Sequence, residues 1–268
     1  GEQIGAALGF MECAWWSPTY AIPDGRVLAL IAGKSNPGSI MVNRHGKRFA
    51  NEAQPYEDLV KEQYASESRG EQAIPCYLVF DATYRQKYAV GHIKPGKVES
   101  DKTLDPSNFD SGLLTKANSL EELADALGID RDALVKTVAH FNRYARNGED
   151  PEFGRGSTVH DRYYADKSVS PNPSLGPLET APYYALRCEP GDLDTKGGLL
   201  CDERARVLHH TGAVIEGLYA AGNASAAAMG DTYPGAGATI GSAMTFAYIA
   251  AQHAFEQDAA EEYSHERT

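Results

Sequence analysis

Two glycine-rich stretches near the end of the chain have residue types that suit ligand binding. The first is Gly217-Leu-Tyr-Ala-Ala-Gly-Asn223, and the second is Met229-Gly-Asp-Thr-Tyr-Pro-Gly-Ala-Gly-Ala-Thr-Ile-Gly241. Tyr233 lies in the second stretch, and Pro234 restricts its backbone. A tyrosine hydroxyl can donate a hydrogen bond to a ligand oxygen. Either stretch alone is equally well explained as a simple connection, but the two together indicate a site.

The elements around these stretches are predicted to be a strand, a turn and a helix. Residues 218–221 are small and apolar, which favours a strand covered on both faces. Gly222 allows a backbone to pass close to a ligand. The glycines of the second stretch open an apolar helix over about residues 242–255. Free backbone N–H groups at such a helix start attract an anion or an electron-rich oxygen.

The composition excludes several classes of partner. The 268 residues carry a formal net charge of −12, which argues against nucleic acid or an anionic membrane surface. No apolar run approaches the roughly 18 residues of a transmembrane helix, and no signal peptide is visible. The cysteines lie far apart without a C-x-x-C pair, so we predict free thiols, no metal site and a cytoplasmic location. They are Cys13, Cys76, Cys188 and Cys201.

The first half of the chain is predicted to alternate between helices and strands. Residues 3–11 are rich in small apolar residues and predict a helix, which must end before Pro18. A β-hairpin is predicted over residues 39–50, around a glycine turn. Pro55-Tyr56 then ends the strand and begins a helix, and residues 76–81 form a buried strand.

Helix-capping signals are clearest in the middle of the chain. Ser119-Leu-Glu-Glu122 is a capping box, and Gly128 ends the helix that it starts. Asp130 caps a second helix, which is predicted to run through Asn147. Proline and glycine become frequent over residues 151–190, which predicts a long ordered loop or a domain crossover.

Several segments together point to one known family. They are 41–52 with Pro55-Tyr56, 78–81, 161–164 with 171–173, 190–193, 195–199, 217–223, 232–241 and 243–248. With these segments the chain closely resembles the C-terminal part of 3-ketosteroid Δ1-dehydrogenases. These are FAD enzymes of the fumarate reductase/succinate dehydrogenase flavoprotein superfamily.

The resemblance implies a fold of the α+β or α/β class. It implies an inserted substrate (catalytic) domain over residues 31–195. Partial FAD-binding segments would flank it, with the end of the first segment over 1–30 and the returning segment over 196–268. No strand-linked G-x-G-x-x-G occurs, although in the family that fingerprint holds the FAD pyrophosphate. The N-terminal FAD-binding region of the full enzyme is therefore expected to be missing from this chain, and the isolated chain is expected to be inactive.

The resemblance also implies roles in the 1,2-desaturation of a 3-ketosteroid, a small apolar ketone. Tyr233 and the backbone N–H of Gly237 would donate to the 3-keto oxygen and form an oxyanion-type hole. A tyrosine of the substrate domain would take the proton, and the hydride would go to N5 of FAD. Tyr56 is the first candidate for this base, and Tyr88 is the second.

The same resemblance implies which residues would contact FAD. Gly222 and Asn223 are expected near the ribityl and pyrophosphate region. The amides of Ala238, Thr239 and Ile240 are expected to face the O2 edge of the flavin ring.

Two other functions stay open at this point. The chain could belong to a relative that acts on another unsaturated carbonyl compound, such as a Δ4-dehydrogenase or a fumarate-type reductase. A dicarboxylate site would need clustered arginine and histidine near the flavin, which the Tyr233 loop lacks. Alternatively, the chain could be a non-catalytic fragment that folds but binds no FAD.

Overall fold

The computed structural model describes residues 1–265, with side chains through residue 257. The strands are β1 (Leu8–Gly9), β2 (Ala14–Ala21), β3 (Val27–Ala29), β4 (Ser39–Val42), β5 (Cys76–Asp81), β6 (Leu114–Ala117), β7 (Tyr183–Thr195), β8 (Gly198–Leu199), β9 (Arg206–Leu208) and β10 (Val214–Tyr219). The α-helices are α1 (Tyr56–Ser68), α2 (Ala82–Lys87), α3 (Ser107–Asp110), α4 (Leu120–Leu127), α5 (Arg131–Asn147), α6 (Val159–Tyr163) and α7 (Ala238–His265). Short 3₁₀ helices are Glu2–Ile4, Gly33–Ser35 and Gly222–Ala224.

The chain divides into two compact units. The central unit is Trp16–Asp192, and the split unit is Gly1–Trp15 together with Leu193–Thr268. The domain boundaries after residues 30 and 195 concern the domains of the family and stay a prediction.

A six-stranded sheet organises the central unit. Its strands run in the order β3-β2-β7-β5-β4, and β6 also pairs with β7. The register of β5 and β7 is antiparallel, with Cys76 opposite Cys188 and Asp81 opposite Tyr183. Successive strand residues point to opposite faces. On one face Leu78 and Phe80 pack in a core with residues of α1 and α2, whereas Val79 packs on the other face in a core with residues of α4 and α5.

The local sequence signals for the helix ends are confirmed. The Ser119 hydroxyl accepts from the Glu122 amide at 3.1 Å, and the Asp130 carboxylate accepts from the Ala133 amide at 2.9 Å. Gly128 and Gly148 end α4 and α5 in the left-handed conformation, at φ 66° and 75°. These ends form as predicted because every group involved lies within a few residues along the chain.

The predicted hairpin is present in reduced form. The Asn43 amide donates to the Lys47 carbonyl at 2.9 Å, and Gly46 adopts φ 69° in the turn. Its second strand is reduced to a single bridge between Val42 and Arg48. The strand over residues 76–81 and the helix beginning at Tyr56 are confirmed.

Two predictions about backbone conformation are wrong because pairing between distant segments decides them. Residues 3–11 do not form a helix, since Gly5 at φ 83° ends a single 3₁₀ turn and Leu8 then pairs with Leu199. The segment that follows is strand β2, which includes Pro18. Residues 151–182 match the predicted loop apart from α6, but Tyr183 begins β7, which pairs with β5 and β6.

The split unit contains two short antiparallel strand pairs and α7. β1 pairs with β8, and β10 pairs with β9. A small apolar core includes Ala6, Val207 and Ala220. The Tyr219 hydroxyl lies 2.7 Å from Nδ1 of His253 on α7. The predicted covered strand over residues 218–221 is only partly reached, because β10 ends at Tyr219 and Ala220 is buried whereas its neighbours in this stretch are half-buried.

Candidate active site

The Tyr233 loop leads directly into α7 in the split unit. Gly235 and Gly237 adopt φ 132° and 87°, which L residues rarely reach. A Cβ on either glycine would meet no atom within 4 Å, so the backbone here borders open space. The Tyr233 side chain is half-buried. The loop can therefore present a hydroxyl and backbone groups to a flat ligand.

A buried lysine contacts the main chain beside this tyrosine. Lys196 is 1% exposed, and its Nζ donates to the Thr232 carbonyl at 3.0 Å. The same ammonium lies 4.5 Å from the ring centroid of Trp15. Trp15 in turn packs edge-on against Tyr233, with 6.4 Å between ring centroids. Lys196 lies in the 195–199 segment of the family resemblance, but no role for it followed from the sequence.

The residues predicted to contact FAD lie on two neighbouring features of the split unit. Gly222 begins a 3₁₀ turn at φ 61°, and a Cβ there would come within 3.1 Å of the Ala243 Cβ on α7. Gly222 is therefore also required by packing against α7. Asn223 is exposed, and Ala238, Thr239 and Ile240 form the first turn of α7. Amides in a first helical turn have no acceptor inside the helix; that of Ala238 donates to the Gly235 carbonyl at 3.3 Å, just before the helix.

This arrangement fits a flavin dinucleotide. Open space above positive-φ glycines admits a planar ring, and the amides of the first turn of α7 suit its electron-rich oxygen. Gly222 allows close backbone approach at the end of β10. The chain can thus provide part of a flavin site with backbone groups alone.

Tyr56 lies in the central unit, at the first position of α1. Its side chain is half-buried. The segment that leads into it is fixed by Lys34, whose Nζ donates to the carbonyls of Glu52 and Gln54 at 2.9 and 2.6 Å. Lys34 is 2% exposed, and burial followed by the nearby charge of Arg155 lowers the pKa of Lys34 to about 7.

Buried charges form a network beneath the same segment. Arg48 binds Glu52 through Nε and Nη2 at 2.8 Å each, and its Nη2 also binds Asp150 at 2.8 Å. Arg155 Nη1 adds a 3.1 Å contact to Glu52. Burial opposes ionisation of Glu52, but Arg48 and Arg155 outweigh it and hold the pKa of this carboxyl below its ordinary value.

The second candidate base, Tyr88, has an unsuitable environment. Its hydroxyl donates to the Asp166 carboxylate at 2.7 Å. Burial and this anionic partner raise the pKa of Tyr88. A base must instead give up its proton readily, so this environment argues against Tyr88 as the base.

The structure groups the predicted site residues by unit. Tyr233, Gly237 and the five predicted FAD contacts all belong to the split unit, and Tyr56 belongs to the central unit. Arg48 and Glu52 lie in the 41–52 segment, which only its resemblance to the family had singled out. Nothing in the sequence linked these residues to Arg155, because over 100 positions separate Glu52 from Arg155.

Comparison with known proteins identifies the family. The family model described as FAD binding domain matches residues 1–240. The chain belongs to the FAD binding domain family. The predicted resemblance is confirmed within this family: a 3-oxosteroid 1-dehydrogenase of Mycobacterium tuberculosis is 45% identical over 96% of this chain and 45% of its own length. The chain thus spans about half the length of the curated relatives that it matches.

A relative with a different name is almost as similar. The 4-oxocyclohexanecarboxylate 2-dehydrogenase of Sinomonas cyclohexanicum is 43% identical over 93% of this chain and 43% of its own length. Both names describe dehydrogenation of a cyclic ketone.

Two solved structures confirm the predicted fold class. The 3-ketosteroid Δ1-dehydrogenase of Sterolibacterium denitrificans, in complex with 1,4-androstadiene-3,17-dione, matches with a TM-score of 0.89 at 43% identity. That match covers 94% of this chain and 45% of the other. An open flavocytochrome c3 fumarate reductase matches with a TM-score of 0.57 at 27% identity, over 93% of this chain and 37% of the other. Within the described residues, no helix combines the length and apolarity needed to span a bilayer.

Proposed function

We propose that this chain forms part of an FAD-dependent enzyme that introduces the 1,2 double bond into 3-ketosteroids. The observation that carries the proposal is the loop with Tyr233 and Gly237, in which a tyrosine and a positive-φ glycine border open space at the start of α7. The similarity to 3-oxosteroid 1-dehydrogenases supports the choice of substrate. A cytoplasmic location stays a prediction.

The loop would polarise the ketone. The Tyr233 hydroxyl and the Gly237 N–H donate to the ketone oxygen, where negative charge develops as the adjacent carbon loses its proton. Donors that are already in place stabilise this charge without reorganisation, and loss of one typically costs roughly 10²–10³ in rate.

Tyr56 would accept the proton from the carbon next to the ketone. A free tyrosine has a pKa of about 10. A general base must also be held within reach of the C–H group from which it takes the proton. Lys34 and the Glu52 network fix the segment before Tyr56, which suits this requirement. Bound FAD would supply the hydride acceptor for the neighbouring carbon. Gly222, Asn223 and the first turn of α7 would hold it.

A second candidate keeps the chemistry and changes the substrate. The Sinomonas relative is named for a small cyclic ketone with a carboxylate, and it is nearly as similar as the steroid enzymes. The same loop would polarise that ketone, but a cation would be needed for the carboxylate. The two candidate substrates therefore differ in the part of the molecule beyond the ketone, which is an apolar steroid in one and a carboxylate in the other.

Anaerobic mixing of the flavin-loaded protein that contains this chain with each compound separates the candidates. Loss of flavin absorbance with a 3-ketosteroid, together with formation of its 1,2-unsaturated product, is expected. Faster reduction by 4-oxocyclohexanecarboxylate would favour the second candidate. Protein that stays colourless with added FAD would contradict both.

A further inference from the structure

Lys196 is a charged side chain for which the proposed reaction has no direct use. Its side chain is completely buried within the chain. Burying an ammonium is costly unless hydrogen bonds and counter-charges offset the cost. Two of its contacts lead to the Tyr233 loop, since the Thr232 carbonyl at 3.0 Å directly precedes Tyr233, and Asp231 lies 3.8 Å away.

A second contact leads from the same ammonium to the tyrosine ring. Lys196 Nζ lies 4.5 Å from the Trp15 ring, and Trp15 meets Tyr233 at 6.4 Å with an interplanar angle of 75°. A cation over an indole face is attracted by the ring quadrupole. Lys196 therefore contacts both the backbone before Tyr233 and the ring against which Tyr233 packs.

The backbone of Lys196 joins the same segments. Its amide donates to the Cys13 carbonyl at 3.3 Å, and its carbonyl accepts from the Ala227 amide at 2.9 Å. One residue thus connects the segment before Trp15, the segment that leads to the loop, and the loop itself. A loop with glycines at positions 235 and 237 has little conformational restriction of its own, so its orientation depends on such contacts.

We propose that Lys196 is a positioning residue for Tyr233, and that it sets the direction of the tyrosine hydroxyl through the Thr232 carbonyl and the Trp15 ring. The inference rests on the proposed function, because that function places the substrate ketone beside the Tyr233 hydroxyl. A displacement of about 1 Å at a catalytic group can cost on the order of 10² in rate. If Lys196 acts through Tyr233, loss of the lysine should lower kcat far more than it changes KM.

The kinetic test is a double-mutant cycle in the flavin-loaded protein. Lys196→Met should lower kcat on the order of 10²-fold, and Lys196→Arg, which keeps a cationic donor, should recover part of the loss. In a Tyr233→Phe background, Lys196→Met should have little further effect, because the group that it positions is gone. Full additivity of the two losses, or a normal kcat in Lys196→Met, would overturn the proposal. The exposed Lys136→Met is the matched control.

A spectroscopic test addresses the tyrosine without turnover. In protein labelled with ¹³C at the tyrosine ring, the Tyr233 signal is the one that Tyr233→Phe removes. Lys196→Met should shift that signal, and Lys136→Met should not. An unshifted Tyr233 signal would contradict the positioning role. Should Lys196→Met fail to fold, Trp15→Phe replaces it with the same expectations.

The outcomes also separate this inference from the proposed function. Wild-type protein that binds flavin but does not oxidise a 3-ketosteroid would count against the proposed function, and the tyrosine signal would still decide the role of Lys196. Normal wild-type turnover with no effect of Lys196→Met would overturn the inference alone.

Discussion

The two candidate catalytic tyrosines lie on segments that are stabilised in opposite ways. The segment before Tyr56 rests on a network of buried charges, in which Glu52 is 0% exposed and Arg155 is 1% exposed. The Tyr233 loop contains glycines beside open space, and the buried Lys196 and the Trp15 ring contact it. A buried ionic network surrounds the first segment, whereas the glycines of the second give its backbone little restriction of its own.

This difference matches the two proposed tasks. A proton acceptor must stay in one place, and a buried ionic network restricts its surroundings to one geometry. A loop that receives a flat substrate beside a flavin must leave space, which glycine provides and burial would remove. Apolar residues at four-residue spacing on α7 are also exposed, namely Ile240, Met244 and Tyr248. The split unit thus leaves apolar side chains exposed along α7, whereas buried ion pairs surround Glu52 in the central unit.

The largest expected effect on stability comes from breaking the network. Arg155→Met leaves Glu52 with one fewer cation in a fully buried position, and loss of one partner of a buried pair costs about 3–5 kcal/mol. Urea unfolding followed by circular dichroism measures this loss. Arg143→Met, an exposed arginine stacked on Tyr144, is the control and should change stability by less than about 0.5 kcal/mol. Equal effects would show that the network does not stabilise the central unit.

A smaller, pH-dependent effect is expected at Lys34. Its pKa is about 7 in the folded protein, against about 10.4 for an unfolded lysine. Between these values the unfolded chain binds more protons, so this group makes stability rise with pH by up to about 1.4 kcal/mol per unit. Below about pH 7 both states are protonated, and the full cost of the buried ammonium remains.

Lys34→Met removes this dependence. The free energy of unfolding of the wild type should therefore rise relative to that of the variant as the pH increases from about 7 to about 9. Urea titrations at several pH values measure the difference, with Lys136→Met as the control. A constant difference between wild type and Lys34→Met would show that the lysine does not titrate in this range.

The smallest effect on stability is expected in the Tyr233 loop. Gly237→Ala places an L residue at φ 87°, and Gly128→Ala does the same at φ 66°, in both cases with no atom within 4 Å of the new Cβ. Each should cost about 1–2 kcal/mol. Only Gly237→Ala should also lower turnover, because its methyl group occupies the proposed ligand space. Thermal unfolding and steady-state rates measure both, and equal turnover in the two variants would contradict a ligand beside Gly237.

Local chemistry accounts for the parts of the fold that the sequence predicts correctly. The Ser119 cap and the Gly128 stop depend on neighbouring residues, and the strand over residues 76–81 is marked by its own apolar run; each forms as predicted. Residues 3–11 and 183–190 were predicted wrongly, because they pair with strands far away in the chain. Propensity yields to pairing in such cases.

The candidate site likewise has features that the sequence predicts and features that depend on contacts between distant residues. The glycine loop and Tyr56 are visible as motifs, and the family resemblance that they carry is confirmed. Lys34, Arg155 and Lys196 are ordinary residues in the sequence, and their importance comes from burial and from contacts such as that between Lys196 and Thr232. No periodicity or cap marks a lysine that will be buried beside a distant carbonyl.

The role of Tyr233 is tested most directly by the rate of flavin reduction in a single anaerobic turnover with a 3-ketosteroid. Tyr233→Phe removes the hydroxyl and keeps the ring that packs on Trp15. We expect the rate to fall roughly 10²–10³-fold, with flavin still bound and with the affinity for the steroid changed far less. A Tyr233→Phe protein that reduces its flavin as fast as the wild type would contradict the assignment of Tyr233 to the ketone.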